Sequence, residues 1–225
     1  MNYTLIRSKR KTCAIYIRGN TVEVHAPLWI TEQEIDDFVE SKEHWITNKL
    51  AECAAREEKK SAFLLEYGDQ VRYLGGTKFI VPREGDRIGL SEEGFYMPPG
   101  LSMNDIKRAC IKIYLICAKS VIIEKVSVFA QLMNLSPASV KINSAAARWG
   151  SCSSAKNLNF SWRIMMASDK VIDYVVVHEL AHLKKMNHSR NFWTIVEEIL
   201  PDYQDRRKEL QLLQEQLNIE NWRIV

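Results

Sequence analysis

Apolar and polar residues alternate over residues 3–7 and again over residues 12–17, and Val22-Glu23-Val24-His25 repeats the alternation after a Gly19-Asn20 turn. A period of two buries one face of a strand, so three strands are predicted. Ser8-Lys9-Arg10-Lys11 would join the first two as the solvated tip of a hairpin, where the cations could also touch phosphates. Pro27 closes the third. The period then lengthens, with Ile35, Phe38, Val39, Trp45, Ile46 and Leu50 recurring at helical spacing behind Thr31-Glu32-Gln33-Glu34. That tetrapeptide is a capping box, a hydroxyl at the N-cap and a carboxylate three residues on. One long helix over about 31–60 is predicted, its charged end a solvated last turn.

Short strands follow between Gly68 and Pro98, punctuated by Gly75-Gly76, Pro82, Gly85 and Gly94. A helix starting at Ser102 carries Ile106, Cys110, Ile113, Cys117 and Val121 on one stripe toward Met133. Strands at residues 140–142 and 158–162 then flank an irregular stretch over 147–152. Helices are predicted over residues 169–186 and 189–200, and a last one follows Pro201 with Tyr203, Arg206, Leu210, Leu213 and Leu217 at three and four. The expected class is α+β: a β-rich N-terminal lobe over residues 1–100, then a second lobe over 101–225, divided at the Gly/Pro-rich stretch near residue 100.

With 46% hydrophobic and 26% charged residues in a chain of 225, there is material for a packed core and no signature of disorder. A net charge of +3 is too mild to argue for nucleic acid or a membrane surface. No window approaches the roughly 18 apolar residues of a spanning helix, and the first residues lack a secretory signal's apolar run. Cys13, Cys53, Cys110, Cys117 and Cys152 are odd in number and scattered, with no Cys-x-x-Cys spacing. The expectation is a cytoplasmic protein without disulfides.

Candidate chemistry concentrates in Val175-Val176-Val177-His178-Glu179-Leu180-Ala181-His182, followed by His188. On a helix His178 and His182 lie one turn apart on one face, so both imidazoles can reach one ion, while Glu179 beside them can take a proton from an activated water. Three of the chain's five histidines fall within eleven residues. Three imidazoles and an open position would make a catalytic zinc site. The third ligand is open between His188 and Glu197 or Glu198 on the next helix. The metzincin pattern has glycine where this chain has Lys185, so the turn after His182 must be built differently, with Asn187 the residue best suited to a left-handed conformation.

Upstream, Arg148 in Arg148-Trp149-Gly150-Ser151-Cys152 could contact substrate or an oxyanion, or tie a loop to backbone carbonyls. Cys152 could be a nucleophile, a fourth ligand or an idle thiol. Tyr174, one turn before His178, could line the cavity or simply pack. The alternating segment Leu158-Asn159-Phe160-Ser161-Trp162 is a candidate for edge pairing with an extended peptide.

The run Ile172-Asp173-Tyr174, His178-Glu179-Leu180-Ala181-His182, Asn187-His188-Ser189 and Phe192-Trp193 resembles the YgjP-like metallopeptidase family. Arg148 to Cys152, the basic opening segment and Pro201 with Tyr203 extend the likeness over nearly the whole chain. The resemblance implies a zincin-like catalytic lobe related to SprT-like and WLM peptidases, Zn2+ held by His178, His182 and His188, and Glu179 as base. It implies a peptide or protein substrate. Some members of that family are named instead nucleoside triphosphate pyrophosphohydrolases, which keeps nucleotides as an alternative. A non-enzymatic adaptor stabilised by zinc is a further one.

Overall fold

A computed structural model describes residues 1–222. By packing, the chain forms two units, Met1–Phe63 with Asn218–Asn221, and Leu64–Leu217 with the segment from Trp222. Residue 100 therefore lies inside the second unit, and the expected boundary there is corrected to the Phe63–Leu64 junction. The reason is an aromatic chain: Phe95 packs edge-on against Tyr114 at 4.9 Å and against Tyr73 at 5.8 Å, and Tyr114 stacks on Trp162 at 5.2 Å. Side chains on both sides of residue 100 thus share one core.

In the first unit, β1 (Thr4–Ser8), β2 (Ala14–Arg18) and β3 (Thr21–Pro27) form a sheet in the order β1-β3-β2. β3 pairs parallel to β1 and antiparallel to β2, so the first two strands do not form the expected hairpin. β3 takes the centre because its alternating Val22, Val24 and Ala26 are the strand residues most fully withdrawn from water. They meet Ile35, Val39 and Ile46 from two helices, α1 (Glu32–Glu40) and α2 (Glu43–Ser61). The capping box forms as expected, Glu34 N–H donating to Thr31 Oγ1 and Thr31 N–H to Glu34 Oε2. The single long helix does not, because Ser41 Oγ donates to Phe38 O and ends the first segment. Arg7 is not a free cation: its Nη1 donates to the carbonyls of Pro27 and Ile30.

In the second unit, β4 (Gln70–Tyr73), β5 (Gly76–Pro82), β6 (Gly89–Leu90) and β7 (Gly94–Met97) form a mixed sheet in the order β4-β5-β7-β6. The helix α3 (Met103–Leu132) follows, N-capped by Ser102. A third sheet holds β8 (Ser139–Asn143), β9 (Gly150–Cys152) and β10 (Asn157–Ser161) in the order β8-β10-β9. After a 3-10 turn over Trp162–Met166 come α4 (Asp169–Ala181), α5 (Arg190–Ile199) and α6 (Tyr203–Leu217). The described residues thus make an α+β protein of six helices and three small mixed sheets. None of those helices is long and apolar enough to cross a membrane.

The helix that carries the histidine motif is α4. Val171, Ile172, Val175, Val176, Val177, Leu180 and Ala181 are all buried along it, each larger one contributing about 1.5–3 kcal/mol. Asp173 on α4 receives Lys125 Nζ of α3 at 2.6 Å and faces Arg206 of α6 at 3.7 Å. Three helices are thereby held in register around the motif.

Candidate metal centre

His178 and His182 project from the last turn of α4, as their spacing predicts. α4 ends earlier than expected, at Ala181, with His182 as its C-cap. Lys184 and Lys185 N–H both donate back to Ala181 O. No residue from 183 to 188 takes a positive φ. The exit is therefore a tightened helical turn, not a left-handed one at Asn187. Ser189 then caps α5 and delivers His188 to the pair.

The nitrogens of His178, His182 and His188 lie within 4.8 Å of one another, and they form the one such cluster of three among the described residues. Glu197 and Glu198 stay exposed on α5 and outside it. Nε2 of His178 and Nε2 of His188 are 3.0 Å apart. Two imidazoles on a tetrahedral ion stand about 3.3 Å apart, and at this separation a proton or a cation must sit between two lone pairs. Burial first, then the charges of His182, His188 and Arg207, push His178 down to about 3. Burial lowers His182 as well. Both rings are therefore neutral near pH 7, the form that binds metal. His182 Nδ1 donates to Lys185 O at 3.1 Å, which leaves its Nε2 lone pair for the centre. His178 Nδ1 is buried and has no partner among the described residues. The donor set fits a divalent ion of borderline softness such as zinc.

Phe192 is the residue that sequence reasoning missed. Its ring, fully buried, lies 4.9, 4.6 and 4.8 Å from the rings of His178, His182 and His188. The sequence places it in the family-like Phe192-Trp193 run without giving it a role at the centre, because nothing in the spacing tells which neighbours the ring meets. Trp193, the next residue, stacks on His188 at 5.7 Å.

Glu179 is 6% exposed and its Oε2 has no partner. Burial raises its carboxyl to about 7, while the positive charge of Arg148 opposes the rise. β9 lies against it: a Cβ built on Gly150 would stand 2.6 Å from Glu179 Cγ and Oε1. Tying the preceding loop falls to other groups, Arg163 Nη1 and Ser161 Oγ donating to Ala145 O, and Ser161 N–H to Trp149 O. Arg148 is exposed and makes no hydrogen bond or ion pair among the described residues. Cys152 is outside the histidine cluster, and burial together with the Glu179 charge raises its thiol. Tyr174 is buried, 5.8 Å ring to ring from His178, and burial raises its hydroxyl.

The segment proposed for edge pairing is corrected. β10 is the central strand, with β8 on one side and β9 on the other, so both of its edges are filled. The strand at the edge beside α4 is β9, whose three residues are too short to show as alternation.

The YgjP-like metallopeptidase domain family matches residues 11–212. The chain belongs to that family. Membership makes the protein a metal-dependent peptidase by family, as the resemblance implied, and this YgjP-like chain carries the histidine cluster within the matched span. Two solved structures are also similar over part of it. The metallopeptidase zymogen of Pyrococcus abyssi abylysin matches at 18% identity and a TM-score of 0.38, covering 44% of this chain and 97% of that one. The metallopeptidase zymogen of Methanocaldococcus jannaschii jannalysin matches at 20% identity and a TM-score of 0.37, covering 42% and 96%. No curated protein matches.

Proposed function

We propose that the protein hydrolyses peptide bonds with a zinc ion held by His178, His182 and His188 and with Glu179 as the proton carrier. The observation that carries this reading is a buried carboxyl with an unpartnered oxygen on the residue that follows His178, itself one of three clustered imidazoles. A bound ion supplies Lewis acidity, making water acidic near neutrality and polarising a carbonyl. Glu179, held near 7 by burial, is poised both to accept a proton from the attacking water and to return it to the leaving amine. Arg148 offers a permanent charge on the Glu179 side of the site, available to a substrate carbonyl or a developing negative charge. Tyr174, whose ring lies 5.8 Å from that of His178, is the second donor in this proposal. The free edge of β9 suits an extended peptide, whose backbone would pair as an added strand.

Nucleotide hydrolysis finds less support. Arg7 is engaged with carbonyls, and the described residues gather no cluster of three carboxylates for magnesium. The five cysteines are unpaired, which supports a reducing compartment, and we place the protein in the cytoplasm on that chemistry. The test is cleavage of a denatured protein by wild type and Glu179→Gln. The variant should keep its metal and lose at least a hundredfold in turnover. Wild-type turnover in that variant would remove Glu179 from the reaction.

A further inference from the structure

Trp193 is shared by two features. One side of its environment is the metal centre, where it stacks on His188. The other is α6: Tyr203 stacks on it at 5.3 Å, and the Arg207 guanidinium lies over its ring at 5.2 Å. Together with Gln204, Lys208 and Gln211 these residues line a cavity of about 400 Å³, within the size range of small-ligand sites. Tyr203, Arg207 and Gln211 follow at four-residue steps on one face of α6.

The charges around this cavity are not equivalent. Arg206 is taken by Asp202 at 2.9 Å and Lys208 by Asp205 at 3.0 Å. Arg207 has no carboxylate partner among the described residues; its contact is the indole. An arginine laid on an aromatic ring keeps its forked N–H edge free and oriented, which suits a carboxylate better than a flexible lysine would. The spacings through Trp193 put Arg207 no more than about three extended residues from His188.

We infer that the Arg207–Trp193–Tyr203 cavity is a substrate subsite that takes a carboxylate near the scissile bond, making the preferred substrate an acidic peptide. This rests on the peptidase reading and names its substrate class. The carboxylate is either an acidic side chain or a free C-terminus; the guanidinium binds both, the flat rings of Trp193 and Tyr203 packing against the stem or the peptide plane.

The test uses the full chain carrying Glu179→Gln, which binds without turning over, and fluorescein-labelled hexapeptides read by anisotropy. A single Glu is stepped along the peptide, each with its Gln counterpart, and each with a free or amidated C-terminus. At one position Glu should bind about five- to tenfold tighter than Gln, or the free terminus tighter than the amide, which separates the two sources. Arg207→Gln should abolish that preference, and Arg207→Glu should reverse it toward a Lys peptide. Equal binding of all peptides, or a preference that survives Arg207→Gln, overturns the inference, as does Arg207-dependent binding of a nucleoside triphosphate but of no peptide. The same peptides are offered to wild type. Glu179-dependent cleavage without acidic preference overturns the subsite and leaves the peptidase reading standing, whereas no cleavage of any peptide removes both.

Discussion

Gly150 on β9 and Glu179 on α4 are in direct contact, so close that a Cβ on Gly150 would stand 2.6 Å from the carboxyl oxygen Oε1. No real Cβ tolerates that approach, and the strand backbone and the carboxyl must separate if one is added. Gly150 is not one of the three clustered residues His178, His182 and His188. Gly150→Ala should therefore retain metal while losing ten- to a hundredfold in kcat, because the carboxyl is pushed from its position. Metal content and kinetics on the purified variant check this; full activity would show that the Glu179 position is not critical.

Burial of Glu179 has a measurable cost. Its carboxyl stands at about 7 in the fold and at its ordinary 4.5 when unfolded. Between these values the folded state binds the extra proton, so stability falls as pH rises through that window and the full penalty applies above it. In the metal-free protein Glu179→Gln should consequently be more stable than wild type at pH 8, by at most on the order of 3 kcal/mol. Near pH 4 the difference should vanish, the carboxyl being protonated in both states. Denaturant titrations at the two pH values decide it, and a wild type more stable at pH 8 would mean that the carboxyl is not buried as described.

His178 works in the opposite sense. Its folded value of about 3 lies below the unfolded 6.5, so the unfolded chain binds more protons once the pH drops below 6.5. The metal-free protein should lose stability progressively from about pH 6.5 toward pH 3 through this group. His178→Gln should flatten that part of the profile in thermal melts, and an unchanged slope would assign the loss elsewhere.

Phe192 packs on all three imidazoles. Phe192→Ala removes a fully buried ring and should cost about 3–5 kcal/mol. Phe192→Leu is the more informative change, since it keeps most of the volume and frees the imidazoles to reorient. It should weaken zinc about tenfold in a chelator competition with a modest fall in Tm. Unchanged affinity would reduce Phe192 to a filler of the core.

Much of this was legible in the sequence where the signal is local. The capping box at Thr31, the start of α3 at Ser102, and the His178–His182 pair each depend on residues within one or two turns, and each forms as read. What could not be read depends on partners distant in the chain. β3 enters between β1 and β2 because its apolar face meets α1 and α2, which no alternation within the strands reveals. The break at Ser41 turns on one hydroxyl choosing a carbonyl. Gly150 could have been flagged, since a glycine amid an otherwise chemical stretch often marks a close backbone approach, but its neighbour Glu179 lies 29 positions on. Arg207 gave no signal at all beside Arg206, because only the fold decides which of two adjacent arginines meets an acid.

The most direct measurement is elemental metal analysis of the purified full chain beside His188→Ala. The three-histidine centre predicts close to one zinc per wild-type chain and, in the variant, affinity reduced at least a hundredfold in competition with a chelator. A wild-type protein that takes up no divalent ion, or a variant that binds zinc as tightly as wild type, would contradict it.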